Sequence, residues 1–189
     1  MRHRICSFLL KLWGFKIEGR YPHHIPKCLI IVMPHTSNWD FPLGLLVRCS
    51  LSAKGNFVAK NSLFKPPFGF IFYWLGGVPV DRSKNNNFVS AVVESFKTRD
   101  EMRLVIAPEG TRKKVDRIKT GFYWIARGAE LPLIFCKFDW GKRIVTFSEA
   151  FYPSGDPQED FEKILDHFRG IQGYNPEQGI PLDFKQEIT

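Results

Sequence analysis

The sequence MPHTSNWD, residues 33–40, follows an apolar run at residues 28–32 and precedes a second apolar segment at residues 43–47. The first run is typical of a buried strand and the second of a helix. In α/β sheets, ligands bind where a strand ends and the chain turns into a helix. The stretch therefore predicts an α/β fold with a functional site at this junction.

The junction carries His35 and Asp40, five residues apart. On a regular helix, five residues turn the chain through about 500°, which leaves the two side chains about 140° apart. They can meet only if the segment is a turn that enters a helix, and Pro34 and Pro42 favour a turn there. A neutral His can accept a proton from a hydroxyl group, while a carboxylate on its other ring nitrogen fixes the tautomer. The pair is a candidate general base for a substrate hydroxyl and needs no Ser or Cys nucleophile.

The same two residues have a simpler interpretation. A His and an Asp at one fixed offset also occur by chance. Asn38 or Asp40 could act only as a helix N-cap, beside a His with no role in catalysis. Taken alone, the pair leaves both interpretations open.

The composition indicates one globular domain with an anionic partner. A length of 189 residues suits a single domain, and a hydrophobic content of 44% with 15% aromatic residues excludes disorder. The formal charge of +8 favours a phosphate substrate, an anionic membrane surface, an acidic carrier protein or nucleic acid, unless it marks only a soluble basic surface. No recognition-helix or RNA-binding signature accompanies the charge, so we expect no nucleic-acid partner.

The four cysteines are scattered, and no pair has the spacing of metal ligands: Cys6, Cys28, Cys49 and Cys136. We expect free thiols, most of them buried, in a reducing compartment, and no structural zinc.

Residues 1–14 predict a short amphipathic helix. Its apolar residues recur at helical spacing on one stripe: Ile5, Phe8, Leu9, Leu12 and Trp13. Basic residues flank the stripe, and the run is too short to cross a bilayer. Such a helix can lie in a membrane interface or dock on the core of its own protein, and both alternatives stay open.

Two further predicted strands end in polar motifs. The short apolar strand at residues 77–80 leads into Asp81 and Arg82, and an Arg suits bidentate phosphate recognition. The strand at residues 103–107 runs into the sequence PEGTR, residues 108–112, whose turn and exposed amides can hold an anion. Alternatively, the first motif is a surface turn and the basic residues near the second form a solvated loop.

Together these motifs resemble the glycerophospholipid acyltransferase family, which includes the lysophosphatidic acid acyltransferases. The hallmark of that family, a His, four residues and an Asp, is matched by His35 to Asp40. Its second and third blocks are matched by residues 77–82 and 108–112, and a fourth, apolar block is matched partly by residues 131–136. The resemblance covers roughly residues 15–150, with the blocks in order and at fitting spacing.

The resemblance implies an acyltransferase domain at residues 15–189, with a central, mostly parallel or mixed sheet flanked by helices. It implies transfer of a fatty acyl group from acyl-CoA or acyl carrier protein to a hydroxyl of a lysophospholipid such as lysophosphatidic acid. No bound cofactor or metal is implied. Two other functions stay open: binding to lipid surfaces without catalysis, and hydrolysis of acyl thioesters by a water that His35 activates.

The resemblance also implies a role for each motif residue. His35 would be the general base and Asp40 would orient it. The acceptor phosphate would be held by Arg82 and by the loop of the third block: Glu109, Gly110, Thr111 and Arg112. Within that loop, Glu109 would order the chain.

The long hydrophobic N-terminal anchor of many relatives has no counterpart in this sequence. We therefore expect a peripheral protein on an anionic membrane surface, at the cytoplasmic inner face of the cell membrane. The aromatic stretch at residues 63–75 is expected to pack in the core, although it could also line an acyl-chain groove or touch lipid.

Overall fold

Seven strands form one sheet in the part of the chain that the computed structural model describes, residues 2–80 and 88–179. In chain order, the strands are β1 (Lys16–Glu18), β2 (Lys27–Met33), β3 (Asn56–Lys60), β4 (Gly77–Val80), β5 (Met102–Ile106), β6 (Leu133–Asp139) and β7 (Ile144–Phe147). The α-helices are α1 (Arg2–Leu12), α2 (Asp40–Ser50), α3 (Gly69–Trp74), α4 (Phe88–Lys97), α5 (Gly121–Gly128) and α6 (Pro157–Phe168). Short 3-10 turns cover Asn61–Phe64 and Pro176–Gln178. The predicted α/β domain, with an N-terminal helix, is confirmed.

The sheet is mixed, with the strand order β1-β7-β6-β2-β5-β3-β4. The five strands from β6 to β4 are parallel to one another, whereas β7 runs antiparallel to β6 and β1 runs parallel to β7. Because β6, β2 and β5 are neighbours and parallel, their carboxyl ends lie side by side. The loops that follow these three strands therefore meet at one edge of the sheet.

Both faces of the sheet are covered, as β2 illustrates. Leu29 and Ile31 belong to a core cluster formed with α4, α5 and α6, whereas Cys28 and Ile30 belong to a second cluster formed with α1 and α2. Successive side chains of a strand point to opposite faces. A strand that is buried on both faces is apolar throughout, which explains the continuous apolar run at residues 28–32.

A disulfide joins the first two helices. Cys6 of α1 is bonded to Cys49 of α2, with 5.9 Å between their Cα atoms. The expectation of four free thiols is therefore wrong for this pair, because packing brings together two helices whose cysteines lie 43 residues apart in the chain. Cys28 and Cys136 are free and buried, as predicted.

The N-terminal helix docks on the core through the side opposite its apolar stripe. Leu10 is buried against α2, while the stripe remains exposed except at the half-buried Trp13, with Leu12 at 74% of its full accessibility and Phe8 at 64%. The alternative in which α1 docks on its own protein is confirmed, and the outward side leaves the membrane-interface alternative as a prediction.

The aromatic stretch at residues 63–75 does not pack in the core as expected. Phe64 is buried, but Phe68, Phe70, Tyr73 and Trp74 are exposed. The stretch is short and broken by prolines, so α3 covers only six residues and has too little length to bury every ring. No helix among the described residues is both long and apolar enough to cross a membrane.

Candidate active site

The turn after β2 brings His35 and Asp40 together, as the sequence predicts. Nδ1 of His35 lies 3.0 Å from Oδ2 of Asp40, which is the first residue of α2. The carboxylate accepts this hydrogen bond, so the proton of a neutral imidazole resides on Nδ1 and Nε2 is left as the basic nitrogen. Asp40 is buried, whereas 27% of the His35 side chain is exposed. The pair has the geometry of a general base that a bound molecule can reach.

Two further donors hold the Asp40 carboxylate. The backbone N–H of Ser37 donates to Oδ2 at 2.9 Å, and Nε1 of Trp140 donates to Oδ1 at 2.7 Å. Trp140 comes directly after β6, the strand beside β2. Trp140 is not among the site residues predicted from the sequence, and its position soon after the apolar block at residues 131–136 is the signal that could have pointed to it.

Glu109 lies under His35 in the turn after β5. It is buried, and its Oε2 accepts a hydrogen bond of 2.7 Å from the backbone N–H of His35. Its Oε1 is also buried and has no hydrogen-bond partner among the described residues. Burial raises the pKa of this carboxyl from the usual 4.5 to about 7, against the lowering effect of the hydrogen bond from His35. Glu109 thus joins the turn after β5 to the turn after β2.

The rest of the third motif lies on the surface beside the pair. Gly110 has a φ of +66°, a left-handed conformation that favours glycine. Nη1 of Arg112 donates a hydrogen bond to Oδ1 of Asn38, so the guanidinium reaches across to the turn that holds His35. Thr111 is exposed, and its hydroxyl accepts from the backbone N–H of Lys113 at 3.3 Å. Of the predicted site residues, Arg82 lies outside the described residues.

The segment after α6 covers the same turn. The backbone N–H of Asn175 donates to the Thr36 hydroxyl at 3.1 Å, and its side-chain amide donates to the Thr36 carbonyl at 2.8 Å. Gly173 packs so closely on Thr36 that a Cβ would collide with the hydroxyl. This contact could not be predicted from the sequence, since 139 residues separate Thr36 from Asn175.

An apolar cavity of about 360 Å³ adjoins the pair, with His35, Asp40 and Arg112 in its wall. Cavities of this size are typical of small-molecule sites. The rest of the wall is mostly apolar and comes from α2 and the sheet, including Ile30, Val32, Phe41, Gly44, Leu45, Val47, Phe57, Val105, Cys136 and Phe138. The site therefore places a proton acceptor and a cation at the side of an apolar binding space. Among residues 2–80 and 88–179, no cluster of three or more His, Cys, Asp or Glu could hold a metal ion.

Comparisons with known proteins identify a family and a similar fold. A family model described as "Acyltransferase" matches residues 16–138. Among solved structures, the chain is similar to PlsC from Thermotoga maritima, described as a 1-acyl-sn-glycerophosphate (LPA) acyltransferase. The identity is 21%, with 87% of this chain and 73% of that chain covered and a TM-score of 0.57, so this likeness shows the fold. No match was found among curated proteins.

The raised pKa of Glu109 predicts how stability depends on pH. The folded protein keeps this proton up to about pH 7, whereas an unfolded chain loses it near 4.5, so the native state binds more protons between these values. Relative to Glu109→Gln, the wild type should therefore lose stability as the pH rises from 4.5 to 7.5, by up to roughly 3 kcal/mol. Denaturant unfolding across this range measures the difference.

Glu149→Gln is the control for this prediction, since Glu149 is exposed. This variant should keep the pH profile of the wild type. A constant stability difference between wild type and Glu109→Gln across the range would show that folding does not raise the pKa of Glu109, which would contradict the prediction.

Proposed function

The chain belongs to the Acyltransferase family, and we propose that it transfers a fatty acyl group from acyl-CoA or acyl carrier protein to a hydroxyl of a lysophospholipid such as lysophosphatidic acid. The observation that carries this proposal is the 3.0 Å contact between His35 Nδ1 and Asp40 Oδ2, beside an apolar cavity. The description of PlsC as an LPA acyltransferase supports the choice of acceptor.

In the proposed reaction, Nε2 of His35 takes the proton of the acceptor hydroxyl. The oxygen attacks the carbonyl carbon of the thioester, a new C–O bond forms and the C–S bond breaks. The leaving thiolate takes the proton from the imidazolium, which returns His35 to its neutral form. Asp40 stabilises the imidazolium while it exists, because its carboxylate lies against Nδ1. The reaction passes through no acyl-enzyme and uses no metal or bound cofactor.

The apolar cavity is the proposed site of the acyl chain. Each methylene that leaves water for such a space contributes about 0.8 kcal/mol. His35 lies in the wall of the same cavity, so a chain bound there brings its thioester near the base.

The acceptor phosphate is proposed to bind beside this cavity. Arg112 and the exposed loop at Gly110 and Thr111 lie next to His35 and offer a guanidinium and a hydroxyl. Arg82 is proposed to complete this anion site. Glu109 is proposed to order the loop from beneath, since it holds the His35 backbone.

We further propose that the protein binds peripherally to anionic membrane at the cytoplasmic face. The start of α1 and the end of α3 line one cavity of about 750 Å³ together with α2, so the two helices are neighbours on the surface. Both carry exposed apolar residues, among them Phe8 and Trp74, which we propose enter the membrane together. Arg2, Arg4 and Lys11 of α1 add positive charge. Because Cys6 and Cys49 form a disulfide, the cysteines no longer support a reducing compartment. The proposed location rests instead on the proposed acyl donors, acyl-CoA and acyl carrier protein, which are cytoplasmic.

Replacing His35 by Ala should lower transfer by at least roughly 10²-fold, the usual scale of a general base. The measurement is release of CoA from palmitoyl-CoA, with and without lysophosphatidic acid. His24→Ala is the matched control, because His24 is exposed and precedes β2, at the opposite end of that strand from His35.

Four outcomes of this assay separate the candidate functions. Acceptor-dependent release that His35→Ala abolishes supports the acyltransferase. Release that needs no acceptor indicates a thioesterase. A full rate in His35→Ala contradicts the assignment of the base, and no release from either CoA or carrier-protein thioesters indicates a protein that only binds lipid surfaces.

Narrowing the cavity should shorten the acyl chain that the enzyme prefers. Gly44 lies in the cavity wall, and a Cβ there would stand 3.7 Å from the Phe138 ring, an ordinary contact. Gly44→Leu should therefore lower the rate with palmitoyl-CoA relative to octanoyl-CoA by roughly tenfold, while Gly44→Ala should keep the wild-type ratio. An unchanged ratio in Gly44→Leu would place the acyl chain elsewhere.

Charges on the exposed apolar side should weaken membrane binding. Phe8→Glu combined with Trp74→Glu should lower the affinity for vesicles of phosphatidylglycerol and phosphatidylcholine at least roughly tenfold, since each ring loses its burial in the interface. Co-sedimentation measures this loss. Trp124→Glu is the control, because Trp124 is an exposed Trp of α5, on the other face of the sheet. Equal losses of affinity in the double variant and in Trp124→Glu would show that the membrane does not bind specifically to the side with Phe8 and Trp74.

A further inference from the structure

The Asp40 carboxylate is held at both oxygens. Oδ2 accepts from His35 and Ser37, and Oδ1 accepts from Nε1 of Trp140 at 2.7 Å. Asp40 is 3% exposed and Trp140 is 7% exposed, so water has little access to replace this donor. A hydrogen bond to an ionised acceptor is shorter and stronger than one between neutral groups. The contact with Trp140 is therefore a strong constraint on the carboxylate.

The second oxygen decides which way the carboxylate faces. The terminal torsion of an Asp side chain is broad, so a carboxylate that is held at one oxygen can turn. Donors at both oxygens fix the plane of the group. With Oδ1 on Trp140, Oδ2 remains directed at Nδ1 of His35.

The indole of Trp140 is itself held in place by residues just before β1 and by the segment after α6. Its backbone N–H donates to the carbonyl of Gln172 at 2.8 Å. Its ring packs edge-on against Trp13, Phe15 and Tyr174, with centroid distances of 5.6, 5.0 and 4.9 Å. Such edge-to-face packing is favourable for aromatic pairs. The direction of the indole N–H is thus set by packing that lies outside the His35–Asp40 turn.

We propose that Trp140 is a positioning residue of the active site, which holds Asp40 so that Asp40 can orient His35. The role rests on the function proposed above for the pair. Trp140 acts through Asp40 and leaves the contact with substrate to His35. By the same route, the aromatic residues from the N-terminal segment and the segment after α6 support the general base.

Trp140→Phe tests this role, because it keeps an aromatic ring and removes the donor. We expect kcat to fall roughly tenfold or more, since misplaced catalytic groups lose rate steeply, with less than a twofold change in KM for the acyl donor. In the Asp40→Asn background, the same change should lower kcat less than twofold further, because the group it positions is already lost. Trp124→Phe, which changes an exposed Trp of α5 on the other face of the sheet, should change kcat less than twofold.

A second measurement needs no substrate. The chain has five Trp residues, so each indole N–H gives one of five proton signals in an NMR spectrum. The Trp140 signal, identified as the one that Trp140→Phe removes, should move upfield in Asp40→Asn, because the charged acceptor is lost. The Trp124 signal, on the opposite face of the sheet, should stay in place.

Several results would overturn the positioning role. They are a fully active Trp140→Phe, losses that multiply in the double variant, or a Trp140 signal that does not move in Asp40→Asn. If the wild type transfers no acyl group to any acceptor, the proposed function fails, while the NMR measurement still decides whether Trp140 holds Asp40.

Discussion

The site depends on one buried carboxylate at the start of α2. Burying an ionised group is costly unless donors surround it, and Asp40 has three: His35, the Ser37 backbone and Trp140. These donors come from the turn after β2 and from the end of β6. The parallel order of β6, β2 and β5 brings these loops and Glu109 to one edge of the sheet. The strand order therefore determines which donors reach the Asp40 carboxylate, and their hydrogen bonds in turn hold the loops together.

The sequence predicts most of the architecture because its signals are local. The strands predicted at residues 28–32, 77–80 and 103–107 appear as β2, β4 and β5, since apolar runs that end in turns are typical of strands buried in a sheet. The meeting of His35 and Asp40 follows from the turn that the prolines favour, because a regular helix would have separated the two side chains. That Glu109 lies near them follows from the rule that parallel strands end at the same edge.

Contacts that depend on long-range packing could not be predicted from the sequence. Trp140 lies 100 residues from Asp40, and nothing in its local sequence shows that β6 is the neighbour of β2. The Cys6–Cys49 bond follows from the docking of α1 on α2, which cysteine spacing does not encode. Apolar composition also fails to show which side of a short helix faces outward, so the exposure of α3 contradicts the expected core packing.

The central claim is that the His35–Asp40 pair moves an acyl group from a thioester to a hydroxyl of a lipid. The most direct test is to incubate the wild type with lysophosphatidic acid and palmitoyl-CoA or palmitoyl-acyl carrier protein, and to identify the lipid product by mass spectrometry. The account predicts phosphatidic acid in the same amount as the thiol released. Free palmitate in place of phosphatidic acid would contradict it.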